Sequence, residues 1–247
     1  AALAPLTMLK EAFKYAFIPF LKDVFSKFTA FQWGLISFTE LKRIFFFHLW
    51  SAFGRGSDPG IQHLKRELLG PAQGIVLDLG AGLGNSIRYL QRDNVSRYIA
   101  VEPNLHMHSG LRDVAQKAGY FESDGSFVLL SCGAGDLKKI LESSCDAGAT
   151  QEGSIDTIIS VLSLCSIPHA EEIITRLVRE GLRPGGSLLM FEHVRHPHAD
   201  VAWWQWLWSP IWSVFFDGCR LDCPTDRWIE EMKDVDESGK EIEMWMQ

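Results

Sequence analysis

Apolar positions near the amino end of the chain recur at steps of three and four residues. The repeat runs from Leu6 through Phe20 to Phe31, and lysines stand between the apolar positions. This spacing places apolar side chains on one face of a helix, so it predicts an amphipathic helix. We expect residues 1–56 to form an aromatic-rich helical extension ahead of a domain over residues 57–247.

Further along the chain, short apolar segments alternate with helical patterns. The β-branched segment from Ser154 to Val161 is typical of a buried parallel strand. Regular alternation predicts the α/β fold class, with a doubly wound, mostly parallel sheet covered by helices on both faces. Strands are predicted near residues 74–79, 96–101, 126–132, 154–161, 186–192 and 241–246. Helices are predicted near residues 85–93, 104–118, 135–143, 169–182 and 224–233.

Residues 195–223 contain five of the nine tryptophans and show no strand pattern, so we interpret them as an insertion into the domain. A helix here would place Trp204, Trp208 and Trp212 on one face. Three interpretations are open: the tryptophans line a pocket, lie at a membrane interface, or form core beneath the amino-terminal helices.

Composition narrows the possible partners. Hydrophobic residues make up 47% of the 247 residues and the net charge is −7, which describes a folded globular chain and argues against a nucleic-acid partner. Residues 1–56 differ, because they hold eleven of the sixteen phenylalanines and more basic than acidic side chains. No uncharged apolar run of this sequence is long enough to span a bilayer, and we expect a peripheral membrane contact through residues 1–56.

The five cysteines are few, odd in number and scattered. That pattern is typical of reduced thiols and predicts a cytoplasmic location, with peripheral attachment to an intracellular membrane as an option. Cys219 and Cys223 lie four residues apart without the spacing or histidine partners of a zinc site, so the sequence predicts no metal site. Cys165, Cys219 and Cys223 are interpreted as small buried fillers.

A glycine-dense turn follows the first predicted strand. Gly80, Gly82 and Gly84 give the spacing G-x-G-x-G, whereas a dinucleotide site has G-x-G-x-x-G. Asp78 precedes the turn, where an acid would repel a pyrophosphate and attract a cationic group such as an ammonium or a sulfonium. The turn therefore favours a positively charged ligand.

The segment from Asp78 to Gly84 resembles the first motif of the S-adenosylmethionine-dependent methyltransferases. Three further stretches resemble the membrane-associated thiol (alkyl thiol) methyltransferases within that family: 162–166, 191–194 and 217–219 followed by Trp228. The resemblance implies a Rossmann-like methyltransferase fold, S-adenosylmethionine as cofactor with S-adenosylhomocysteine as product, and a small hydrophobic acceptor.

Polar residues that follow the predicted strands are candidates for cofactor binding, because ligands of such sheets bind at the carboxyl ends of the strands. Glu102 ends the second strand, where an acid accepts both ribose hydroxyl protons; its alternative role is to cap the next helix. Asp136 follows the third strand and would accept from an adenine amino group or cap a helix. The full predicted set is Asp78, Gly80, Ala81, Gly82, Glu102, Pro103, Asn104, Gly135, Asp136, Ser160 and Leu162.

Two residues are candidates for chemistry at the acceptor. His193 and Asp217 are placed to act as a base or to steer a thiolate. Each has an ordinary alternative, since His193 could hydrogen-bond a loop carbonyl and Asp217 could cap the turn at Gly218. Because a thiol with a pKa of about 8.5 already holds some thiolate near neutrality, a strong base is not required.

These observations predict a methyltransferase that acts on a small hydrophobic molecule, with a thiol favoured over a hydroxyl or an amine. One alternative keeps the fold and makes the protein an isomerase, lyase or cyclase that does not transfer a methyl group. Another is a non-enzymatic scaffold that uses its aromatic amino end for contacts. The sequence leaves the oligomeric state open.

Overall fold

The computed structural model describes residues 4–31, 37–145, 153–235 and 240–245. Five parallel strands form one sheet in the order β3-β2-β1-β4-β5. The order reverses between β1 and β4, so the predicted doubly wound α/β sheet is confirmed and its switch point lies at β1. The strands are β1 (Gly74–Leu79), β2 (Val95–Val101), β3 (Phe127–Leu130), β4 (Ile155–Val161) and β5 (Leu182–Phe191).

Seven α-helices accompany the sheet among the described residues. They are α1 (Ala4–Thr29), α2 (Phe38–Leu69), α3 (His108–Lys117), α4 (Leu137–Ser144), α5 (Ala170–Arg176), α6 (Ala199–Phe215) and α7 (Thr225–Glu230). Two buried clusters cover opposite faces of the sheet. One joins Leu77 and Leu79 to apolar residues of α4 and α5. The other joins Val76 and Ala100 to α3 and the end of α2, because successive side chains of a strand point to opposite faces.

The amino-terminal helices pack against the tryptophan-rich insertion. Leu9 of α1 and Leu49 of α2 share a buried cluster with Trp212 of α6. Trp212 is 3% exposed and stacks on Phe216, with ring centroids 3.8 Å apart. Three interpretations of the insertion were open, and for Trp212 the structure shows the last of them: this side chain is core beneath the amino-terminal helices. Helix α2 also runs unbroken across residue 56, where the sequence predicted a domain boundary.

Two predicted elements differ from the structure. Residues 85–93 form only a 3-10 turn over Ile87–Tyr89, because the buried side chains there are two residues apart and a helix cannot bury that pattern on one face. The predicted strand near 241–246 is the short β7 (Glu241–Glu243), which pairs antiparallel with β6 (Lys233–Val235) in a separate two-stranded sheet. No helix among the described residues has the length and apolarity needed to cross a membrane.

Candidate functional site

A cavity of about 410 Å³ opens at the carboxyl ends of β1, β2 and β4; we call it the central cavity. Its wall includes Gly80 and Gly82 from the turn after β1 and Glu102 from the end of β2. Helix α2 closes the opposite side with Phe46 and Trp50. The cavity thus lies at the switch point of the sheet, where doubly wound folds bind nucleotides.

The glycine turn lets the backbone form the cavity wall. Gly80 and Gly82 have backbone φ values of +65° and +56°, which residues other than glycine rarely adopt. A Cβ atom on Gly80 would lie 2.7 Å from the Ser163 Cβ atom, and one on Gly82 would lie 3.2 Å from the Trp50 Nε1 atom. The turn therefore has no room for side chains at either position.

Glu102 is the charged group at the centre of this wall and is 7% exposed. Its Oε2 atom accepts from the Gly82 N–H at 2.8 Å, and its Oε1 atom accepts from the Asn104 N–H at 2.7 Å. Burial raises the pKa of the Glu102 carboxyl to about 7, the two backbone N–H groups lower it, and the nearby Asp217 raises it further. Each carboxylate oxygen keeps a second lone pair, so the side chain can still accept two hydroxyl protons.

Asp78 lies outside the walls of the described cavities, and its predicted contact with the cofactor stays a prediction. The side chain is 1% exposed and accepts from the Tyr98 hydroxyl at 2.5 Å on the face of the sheet opposite Leu77 and Leu79. Burial raises the Asp78 pKa to about 7, whereas hydrogen bonds from Tyr98 and Ser86 lower it. The Asp78 carboxyl group therefore links β1 to β2 inside the protein, because it accepts hydrogen bonds from protein hydroxyl groups.

The other predicted cofactor residues divide into two groups. Pro103, Gly135 and Leu162 line the central cavity, and Ala81 lines a smaller adjoining one. Asn104, Asp136 and Ser160 have other contacts, so the structure does not place them at the cavity. The Asn104 amide donates to the Arg43 carbonyl, Asp136 caps α4 by accepting from the Lys139 N–H, and the Ser160 hydroxyl donates to Glu192.

Glu192 is a residue that sequence reasoning passed over in favour of its neighbour His193. Its Oε1 atom accepts from the Ser160 hydroxyl at 2.6 Å and from the Ser163 and Leu164 N–H groups at 3.0 and 3.1 Å. These bonds hold the turn after β4, where Leu162 has a φ of +57° and lines the cavity. The signal available in the sequence was a carboxylate directly after the predicted strand at residues 186–192.

Replacing Glu192 with alanine is expected to lower the free energy of unfolding by about 3 kcal/mol. The change leaves three donors of the turn without their acceptor, and each buried unpaired donor costs about 1–3 kcal/mol. Urea denaturation measures the loss. Glu192→Gln is the matched control, because it keeps an acceptor oxygen and should stay within about 1 kcal/mol of the wild type. An alanine variant as stable as the wild type would contradict this role.

The two predicted catalytic residues are separated. Asp217 lines the central cavity with a φ of +48°, and burial raises the pKa of its carboxyl although Lys42 and Arg43 act against the rise. The His193 ring instead lies beside the Cys165 and Cys219 thiols, and its residue belongs to the wall of neither large cavity enclosed by the described residues. Hydrogen bonding to Cys165 raises the pKa of His193, and burial opposes that rise.

A second cavity of about 600 Å³ adjoins the first; we call it the lateral cavity. The two cavities share the segment 166–169 as a common wall, which we call the partition. Nearby, Asp217 lines the central cavity and Gly218 lines the lateral cavity. Apolar contributions come from Ile167 and Trp228. Two neighbouring cavities that share a wall suit a reaction between two bound molecules.

Comparison with known proteins decides the family. A family model described as a methyltransferase domain matches residues 56–232, which is more than half of the chain. The chain belongs to this methyltransferase domain family. The enzyme is therefore an S-adenosylmethionine-dependent methyltransferase, and a cavity with a glycine turn and a buried carboxylate at the switch point of the sheet fits that cofactor.

Individual relatives are more distant. The methyltransferase is 26% identical to human thiol S-methyltransferase TMT1B over 199 residues, which cover 77% of this chain and 75% of that protein. It is 38% identical to human thiol S-methyltransferase TMT1A over 74 residues, covering 28% of this chain and 29% of that protein. Among solved structures, the YcgJ protein of Bacillus subtilis superposes with a TM-score of 0.50 at 15% identity, covering 69% of this chain and 64% of that chain. This likeness shows the shared fold.

Proposed function

We propose that the methyltransferase transfers a methyl group to the sulfur of a small hydrophobic thiol bound in the lateral cavity. The observation that carries the proposal is the partition shared by the two cavities, because it brings a second site, whose wall holds Ile167 and Trp228 beside charged residues, next to the cofactor site. The relatives are named thiol S-methyltransferases, which favours sulfur as the acceptor atom. The reaction needs two ligands side by side with water excluded.

The chain's own residues supply binding and orientation. We assign the ribose to Glu102 and the close backbone approach to Gly80, Gly82 and Gly135, while Phe46 and Trp50 cover the cavity and exclude water. S-adenosylmethionine supplies a methyl group on a cationic sulfur, which a thiolate can displace. Asp217 lies beside the partition, where its carboxylate would take the proton of the substrate thiol.

Asp217→Asn tests this role through its dependence on pH. A thiol with a pKa of about 8.5 is about 3% ionised at pH 7, so a base can raise the rate by at most about 30-fold there. We expect the variant to lose about tenfold in methyl transfer at pH 7 to a hydrophobic thiol with this pKa, and little at pH 9.5. Transfer of labelled methyl groups measures both values. An equal loss at both pH values would contradict a proton-accepting role.

A panel of acceptors with one carbon skeleton tests the thiol preference. An alkanethiol, the matching alcohol and the matching amine are incubated with labelled S-adenosylmethionine, and methylated products are separated by mass. We expect product from the thiol alone. Transfer to the alcohol or amine at an equal rate would contradict the proposal, and cofactor binding without any transfer would favour the isomerase, lyase or cyclase alternative.

We also propose that the amino-terminal helices contact a membrane surface from the cytoplasmic side. Phe25 of α1 and Trp206 of α6 are 67% and 59% exposed, and lysines 10, 14 and 22 of α1 add positive charge. Exposed aromatic groups beside basic residues favour binding to anionic lipid. The double variant F25S/W206S should reduce flotation with phosphatidylserine vesicles severalfold. Phe121→Ser, an exposed phenylalanine between α3 and β3, is the control; equal flotation of both variants would contradict the proposal.

A further inference from the structure

Three side chains from distant parts of the sequence meet beside the lateral cavity. The Cys165 and Cys219 Sγ atoms lie 3.1 Å apart. The His193 Nδ1 atom lies 3.9 Å from the first and 3.7 Å from the second. Cys165 follows β4, His193 follows β5 and Cys219 follows α6, so the end of the sheet and the insertion jointly assemble the group.

The three ligand atoms have the dimensions of a metal site. The circle through a triangle with sides of 3.1, 3.7 and 3.9 Å has a radius of about 2.1 Å. A cation near its centre, slightly out of the plane, would lie at the Zn–N and Zn–S distances of about 2.0–2.3 Å. A disulfide would use the two sulfur atoms alone and would not explain why the imidazole nitrogen faces both of them.

We propose that Cys165, His193 and Cys219 bind one zinc ion whose fourth coordination position is open toward the lateral cavity. Two thiolates and a neutral imidazole cancel the charge of Zn²⁺, which suits a site formed by two buried cysteines. His193 is exposed, so the ion has a path from solvent. Among the described residues the group has three members, the number that catalytic zinc sites use when they keep one position for water or substrate.

The open position suggests how the acceptor is bound, and this step rests on the proposed thiol function. Cys165 lies in the wall of the lateral cavity, so a ligand there reaches the ion from the cavity. The thiol would give its proton to the Asp217 carboxylate, and its thiolate would replace a zinc-bound water molecule, which leaves to solvent. Zinc keeps its oxidation state throughout, so no oxidant or reductant is needed. The site would thereby select sulfur over oxygen or nitrogen.

Metal content tests the site without reference to activity. The full chain, purified in a phosphine reductant with no thiol present, should hold about one zinc per chain by plasma mass spectrometry. Cys165→Ser and Cys219→Ser should each lower the content to less than a tenth. Cys223→Ser is the matched control, since this buried cysteine also lines the lateral cavity but lies outside the triangle, and it should keep the zinc. A wild-type protein free of zinc, or one with a Cys165–Cys219 disulfide in its peptide map, would overturn the proposal.

Cobalt substitution tests the open position in the wild-type chain and does not depend on how the variants fold. Co²⁺ in the site should give strong visible bands typical of tetrahedral thiolate coordination. An alkanethiol should shift these bands, and the matching alcohol should not. Bands that do not shift when the thiol is added would overturn the binding of the substrate thiol to the metal ion, even if methyl transfer is observed. Bands that respond to the thiol without methyl transfer would uphold the site and contradict the proposed function instead.

Discussion

Glu102→Gln is expected to weaken binding of S-adenosylmethionine by about 100-fold. Glu102 ends β2 at the cavity wall, and a carboxylate there would accept two ribose hydroxyls in charge-assisted bonds of about 1.5–3 kcal/mol each. Glutamine keeps one acceptor oxygen and turns an N–H₂ group toward a backbone N–H that now donates to the carboxylate. A loss of about 2.7 kcal/mol corresponds to the expected factor. Titration calorimetry at pH 8 measures it.

The pH dependence of the same titration follows from the raised pKa of Glu102. Because burial raises that pKa to about 7, the free site is largely protonated at pH 6 and ionised at pH 8. Cofactor affinity should therefore increase about tenfold between pH 6 and pH 8 and then level off, since ribose binding needs the carboxylate. Glu102→Gln should remove this dependence. Glu122→Gln, an exposed carboxylate paired with Arg112, is the control and should keep it.

Stability of the free enzyme should change in the opposite sense. A carboxyl whose pKa is raised on folding destabilises the folded chain as pH rises above its unfolded value of 4.5 toward 7. Glu102→Gln should therefore stabilise the free enzyme at pH 8 by up to about 3 kcal/mol and have little effect at pH 4.5. A variant that loses both affinity and stability at pH 8 would contradict the assignment, because it would indicate a structural role alone.

Gly80→Ala is expected to be the most damaging small substitution in the cavity. Its φ of +65° costs a non-glycine residue about 1–2 kcal/mol, and the new Cβ would lie 2.7 Å from the Ser163 Cβ atom. Ser163 is held by Glu192 through its N–H, so the turn after β4 cannot move without breaking that bond. We expect cofactor affinity to fall by more than 100-fold, together with a lower melting temperature.

Gly125→Ala is the control that separates the backbone strain of a positive φ from the steric clash of a new Cβ atom. Gly125 has a φ of +73°, but a Cβ there meets no heavy atom of the described residues within 4 Å. This variant should lose only the conformational cost of about 1–2 kcal/mol in stability and should bind the cofactor normally. If both variants bound S-adenosylmethionine equally well, the glycine turn would not be the cradle of the cofactor.

The sequence was sufficient for the fold and for the part of the site formed by backbone. Apolar strands alternating with helices predict the parallel sheet, and chain order at the strand ends predicts that Gly80 and Glu102 meet at β1. These features depend on local spacing, which a linear pattern records directly.

The sequence pattern could not predict which residues a side chain contacts when the partners lie far apart in the chain. Asp78 lies one residue before the end of β1, but its pairing with Tyr98 on β2 could be known only from the packed sheet. The expectation of no metal site relied on close spacing between ligands, whereas Cys165, His193 and Cys219 lie 26 residues or more apart in sequence. In the segment 85–93, only Ile87–Tyr89 form a 3-10 turn, so the helix predicted there was wrong.

The central claim is that the cavity at the β1 switch point binds the cofactor through Glu102. The most direct measurement is a crystal structure of the enzyme with S-adenosylhomocysteine at pH 8. We expect the nucleoside in the central cavity, with both ribose hydroxyls donating to the Glu102 carboxylate. Nucleoside density elsewhere, or a ribose held by other residues while Glu102 bonds only the Gly82 and Asn104 backbone, would contradict it.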